Sequence, residues 1–112
     1  MVENVVTLKP NDTIKRAAEL MNLHGISSLI VVASGRPVGI ITERDMLNRV
    51  LNKTKISTGA AVTEIMSKPV VTASPNMRAG DAARLMIQRN IKKLPIVESG
   101  RLVGLISLTD LL

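Results

Sequence analysis

With 112 residues, no cysteine and no aromatic residue, the chain suits one domain in a reducing compartment, without disulfides or a cysteine-bound metal. No apolar run approaches the roughly 20 residues of a membrane span, and Met1 leads straight into Val2-Glu3-Asn4 without a basic segment, so a cytoplasmic protein is expected. The formal charge of +6 favours anionic partners in general, but the basic residues are dispersed and no ring offers a stacking platform, which makes nucleic acid the less favoured of them.

In chain order, Val5-Val6-Thr7 reads as a short extended piece ended by Pro10-Asn11, with Asp12 as the expected helix cap. Ile14, Ala17, Ala18 and Met21 then recur at helical spacing, with Lys15, Arg16 and Glu19 turned outward. Gly25 suits the left-handed end of that helix. Leu29-Ile30-Val31-Val32 reads as a buried strand, Ser34-Gly35-Arg36 as a turn, and the apolar run ending at Ile41 as the second strand of a hairpin. A helix through Met46, Leu47, Val50 and Leu51 follows. The polar residues 52–64, with Gly59, read as a connector, which Ile65-Met66 closes with a short helical turn.

Everything before the connector then recurs. Residues 5–47 align with 70–112 without a gap, and 20 of the 43 pairs are identical. Val70-Val71-Thr72 repeats the extended piece, Asn76 stands as the second cap, and Ala79, Ala82, Ala83 and Met86 repeat the stripe. Asn90 replaces Gly25 at the helix end, the other residue type that tolerates the left-handed conformation. Leu94-Pro95-Ile96-Val97 repeats the buried strand, with Pro95 expected at a strand start or an edge. The chain divides into residues 1–51 as the first copy, 52–64 as connector and 65–112 as the second copy. That copy stops one turn past Asp110, so a short final helix is expected.

The most informative recurrence is Gly39-Ile40-Ile41-Thr42-Glu43-Arg44-Asp45, which returns as Gly104-Leu105-Ile106-Ser107-Leu108-Thr109-Asp110. Glycine and two branched aliphatics suit the end of a strand, and a hydroxyl followed three residues on by an acid suits a helix start. The unpaired N–H groups there welcome an anion, and a carboxylate one turn in can accept both hydroxyls of a ribose-like diol. The same pattern is also a capping box, which needs no ligand. The two readings separate on Asp45 and Asp110, because a cap tolerates Asn or Glu whereas a diol needs a charged acceptor.

An extended piece, helix, hairpin and helix in tandem, each copy ending in Gly-aliphatic-aliphatic-Ser/Thr-x-x-Asp, resembles a CBS domain pair, the Bateman module. Ile65-Met66-Ser67-Lys68-Pro69 leads into the second copy as that family often does. The resemblance implies an α+β fold of two βαββα units packed through their sheets about a pseudo-twofold axis, with two clefts for adenosine-containing ligands. It also implies a regulatory role without catalysis, AMP, ADP, ATP or S-adenosylmethionine as ligand, and a flat homodimer formed through the helices. Carried over by position, cleft A takes Ile40, Thr42 and Asp45 with Val70, Val71 and Ile91. Cleft B takes Leu105, Ser107 and Asp110 with Val5, Val6 and Ile26. Arg44, Lys92 and Lys93 are expected beside cleft A, and Thr109, Ser27 and Ser28 at the matching places of cleft B. Charge-assisted bonds to phosphate are about twice as strong as neutral ones, so cleft A is expected to prefer the more phosphorylated ligand.

The single histidine, His24, pairs with Arg89 in the repeat and reads as a solvated helix end. No nucleophile with a base and an orienting acid is apparent. Two other functions remain in view, a nucleic-acid binder carried by the charge alone and a dimerising scaffold whose corner motifs are only caps. Without an attached effector, any regulated target is a separate protein.

Overall fold

The computed structural model describes residues 3–51 and 59–111, the side chains of 49–51 excepted. In chain order these form β1 (Thr7–Leu8), α1 (Ile14–His24), β2 (Ser28–Ala33), β3 (Arg36–Thr42) and α2 (Glu43–Leu51). A 3₁₀ turn (Val62–Glu64), α3 (Ala79–Arg89), β4 (Lys93–Glu98), β5 (Arg101–Ser107) and a final 3₁₀ turn (Leu108–Leu111) follow. Two compact units result: Val6–Val70, and Met1–Val5 with Val71–Leu112.

In the first unit β1 runs parallel to β2, and β2 pairs antiparallel with β3. Buried Ile14, Ala17, Leu20 and Met21 of α1 close a core with Leu8, Leu29, Val31 and Ile41. The apolar stripe is thus one residue different from the expected one: Ala18 is exposed and Leu20 is buried. The helix starts on Thr13, whose Oγ1 accepts from Arg16 N at 3.0 Å. Asp12, the expected cap, instead accepts from Lys9 N at 2.7 Å and closes the preceding turn. Its carboxylate reaches back to the N–H three residues earlier and is not available to the helix.

The later part of the connector is stitched to this same unit. Ile14 N donates to Ala60 O at 3.0 Å and Val62 N to Asp12 O at 2.8 Å. The helical turn expected at Ile65-Met66 falls earlier, at Val62–Glu64, and Ile65 and Met66 are themselves buried in the first unit's core. Sequence repeat and packing unit are therefore offset at the lead-in. Of the connector, residues 52–58 lie outside the described residues.

The second unit repeats the plan with α3 over the β4–β5 hairpin and a core of Ala73, Ala82, Met86, Leu94 and Ile96. Helix α3 begins after Arg78 without a side-chain cap, so the expected Asn76 does not serve. Pro95 is third in β4, not first, but β4 is an edge strand of a two-stranded sheet, the other place expected for it. Its carbonyl accepts from Ala73 N at 3.0 Å, so its missing N–H also lies on the Ala73 side and the β5 ladder is untouched. The same substitution limits the leading strand. Where Ile30 and Val31 both pair with β1, the second copy keeps one bridge, Ala73↔Ile96, because a proline has no N–H to extend it. Both leading pairings sit about one residue later than Val5-Val6-Thr7 and Val70-Val71-Thr72 suggest.

Helix ends and hairpin turns agree between copies. Gly25 (φ 61°) and Asn90 (φ 54°) are both left-handed. Ile26 N donates to Met21 O at 3.0 Å and Ile91 N to Met86 O at 2.9 Å, the six-to-one bond of a Schellman end. Ser34-Gly35 and Ser99-Gly100 have positive φ at both positions, the primed turn that matches strand twist.

Candidate functional site

At each repeated motif a strand hands over to a helical turn. In the first unit β3 ends at Thr42 and α2 begins at Glu43, whose N–H donates to Ser27 O at 2.9 Å. In the second, β5 ends at Ser107 and Leu108 N donates to Lys92 O at 2.8 Å. The backbone of the corner is therefore built twice in one way, pinned by the residue just ahead of the first hairpin strand.

The side chains differ. Thr42 N donates to Asp45 Oδ2 and Asp45 N to Thr42 Oγ1, both at 3.0 Å, which completes a reciprocal capping box. Ser67 Oγ donates to Asp45 Oδ1 at 3.1 Å. Among the described residues each carboxylate oxygen thus carries one bond, and a carboxylate has about four acceptor positions in all, so one remains on each oxygen. At the second corner Ser107, only 8% exposed, shares a hydrogen bond with Thr109 at 3.1 Å. Asp110 is exposed and makes no side-chain hydrogen bond among the described residues. The second corner continues as a 3₁₀ turn, Leu108–Leu111, in place of an α-helix. The capping reading therefore holds at Asp45 and fails at Asp110.

Of the residues expected at cleft A, Ile40, Thr42, Arg44, Asp45 and Val70 belong to the first unit, and Val71, Ile91, Lys92 and Lys93 to the second. For cleft B, Val6, Ile26, Ser27 and Ser28 belong to the first, and Val5, Leu105, Ser107, Thr109 and Asp110 to the second. All eight aliphatics among them are half-buried, so each keeps some apolar surface. Within the ladders Ser28 lies opposite Thr42 and Lys93 opposite Ser107, so each pair shares one face of its hairpin. A lysine thus flanks the second hydroxyl where a serine flanks the first. Arg44 and Lys92 are exposed and Lys93 is half-buried. The ion pairs among the described residues, Arg16–Glu19 at 3.7 Å and Arg84–Asp81 at 3.0 Å, involve none of these three.

Ser67 is the site residue that local sequence does not reveal, since its partner lies 22 positions away. On the same unit an open groove of about 660 Å³ lies between α1 and α2, lined by Met21, Ile26, Ser27, Met46 and Leu47 among others. Among the described residues no cluster of His, Asp and Glu suits a metal, and no helix is long and apolar enough to cross a membrane.

A duplicated α+β unit carrying one strand-to-helix corner per copy defines a class of tandem-repeat modules. The CBS domain model matches residues 1–52 and 62–112. The chain is 40% identical over 111 residues to the CBS domain-containing protein YhcV of Bacillus subtilis, covering 99% of this chain and 79% of that one. It superposes with a TM-score of 0.88 on the structure of a putative signal-transduction protein with CBS domains from Burkholderia ambifaria, at 34% identity over 97% of this chain and 80% of the other. The CBS domain pair of protein MJ0100, solved in complex with 5′-methylthioadenosine and S-adenosyl-L-methionine, matches with a TM-score of 0.85 and 29% identity over 98% of this chain and 86% of that one. The chain belongs to the CBS domain family. It spans 57% of the length of one curated relative, from Methanopyrus kandleri, and 22% of an inosine-5′-monophosphate dehydrogenase from Korarchaeum cryptofilum.

Proposed function

We propose that this chain is a regulatory, non-catalytic module that binds adenosine-containing ligands in two clefts, A and B, and signals their occupancy to a partner protein. The observation that carries the reading is the twice-built corner, in which a hydroxyl and an acid three residues on recur where a strand hands over to a helical turn, with the same backbone pinning. Such corners suit phosphate and ribose, and half-buried aliphatics suit an adenine in a protein with no ring to stack on. The relative MJ0100 binds two adenosine derivatives, which supports the ligand class. In the first unit Ile40, Thr42, Asp45 and Val70 carry this reading, and in the second Leu105, Ser107 and Asp110 carry it, with the cations Arg44 of the first unit and Lys92 and Lys93 of the second as the candidates for the phosphates. A cytoplasmic location is part of this reading, and the absence of cysteine is compatible with it.

A thermal-shift panel of AMP, ADP, ATP, S-adenosylmethionine and NAD tests it. A ligand at about 100 times its dissociation constant adds about 2.7 kcal/mol of stability, a plainly visible shift. In the Lys92→Ala/Lys93→Ala variant the shift given by ATP should shrink more than that given by AMP. No shift with any adenylate sinks the reading, and equal shrinkage sinks the phosphate role of the lysines.

The partner surface in this reading is a second copy. Leu23 and Leu47 are 74% and 59% exposed on α1 and α2, and Leu47 lines the open groove between those helices. Large apolar side chains left in water suit an interaction site. Sedimentation should show a dimer that Leu47→Lys converts to monomer, and a wild-type monomer at all concentrations removes the dimer from the proposal.

A further inference from the structure

We propose that Ser67 is a positioning residue for Asp45, holding the carboxylate in the orientation that accepts a diol; the inference rests on the adenylate reading above. Three observations lead to it. Ser67 Oγ donates to Asp45 Oδ1 at 3.1 Å while Thr42 N holds Oδ2 at 3.0 Å, so the two oxygens are fixed from two different segments. The backbone that presents Ser67 is itself locked, because Ile40 N donates to Ser67 O at 3.0 Å and Ser67 N to Ile40 O at 2.9 Å. Its neighbours Ile65 and Met66 are buried in the first unit's core.

The capping bond alone leaves the carboxylate free to pivot about Oδ2. A second donor on Oδ1 removes that freedom and leaves one acceptor position on each oxygen, the number a vicinal diol requires. Orientation of this kind lowers the ordering cost of binding without adding a contact to the ligand. Extending the 65-residue offset ahead of the aligned stretch sets Val2 against Ser67, and valine carries no hydroxyl.

Calorimetry in an Asp110→Asn background, which leaves Asp45 as the only acidic diol acceptor at the corners, compares AMP with its 2′,3′-dideoxy analogue. The ratio of the two affinities reports the diol contact and nothing else. Ser67→Ala should lower that ratio roughly tenfold, the scale of a hydrogen bond to a charged group, while Ser67→Thr keeps it. Should Ser67→Ala fail to fold, Ser67→Thr and Ser67→Val, equal in bulk and different in the hydroxyl, carry the comparison. A ratio unchanged in the alanine or valine variant overturns the role of Ser67 even where both affinities fall together, since a purely structural serine would lower both alike. If the Asp110→Asn protein with Ser67 intact binds neither compound or binds both equally, the diol reading of Asp45 fails and the Ser67 role falls with it.

Discussion

Replacing Asp45 by Asn should cost adenylate affinity about 10- to 100-fold at the first corner and leave the protein nearly as stable as before. An asparagine Oδ1 can still accept from Thr42 N, and its amide can donate to the Ser67 hydroxyl, which accepts as readily as it donates. The helix start loses a charge, a matter of about 0.3–1 kcal/mol. The diol loses an ionised acceptor, and hydrogen bonds to charged groups are worth about 1.5–3 kcal/mol. Asp110→Asn should be silent for stability, because that carboxylate makes no such bond among the described residues. Thermal unfolding and calorimetry on the two single variants and their combination separate the effects. Full affinity in the double variant, at wild-type stability, would show that neither acid holds a ligand and that Asp45 is a cap and no more.

The largest expected effect on stability is at Gly39. A Cβ built there overlaps the Met66 Sδ and lies 2.8 Å from Cγ and 3.2 Å from Cβ of the same side chain. The methionine cannot simply swing its tip away, since its own Cβ is among the crowded atoms and the Met66 side chain is buried. Overpacking of this kind costs about 1–3 kcal/mol, and for a domain this size each kcal/mol lowers the melting temperature by about 4–8 °C. Gly80→Ala is the control. There the new methyl group meets only Arg84 Nη2 at 3.8 Å, on an exposed turn of α3, so stability should rise by about 0.5 kcal/mol. A Gly39→Ala protein that melts with the wild type would mean that the Ile40–Ser67 bridge does not hold Met66 over the strand.

Much of this was legible beforehand because it is local. Gly25 and Asn90 in left-handed helix ends, Ser34-Gly35 and Ser99-Gly100 in primed turns, and a strand-to-helix corner after Ile41 and Ile106 each depend on a few neighbouring residues. An internal repeat doubles every such signal, so errors in one copy are checked by the other. The misassigned features concern competition between nearby groups. Asp12 and Thr13 were both fit to cap α1, and only the course of the chain at Lys9 decided that Asp12 turns back to it.

By itself the sequence determined the duplication, the α+β unit and the residue types at each corner, since these follow from periodicity and from backbone preferences of single residues. Only the tertiary structure decided that Asp45 is held from both sides while Asp110 is not, because that depends on Ser67 arriving from 22 positions away and on Ser107 pairing with Thr109 in place of Asp110. Short-range preferences are written along the chain; which hydroxyl meets which carboxylate is set by packing, here by Ile65 and Met66 buried in the first unit's core.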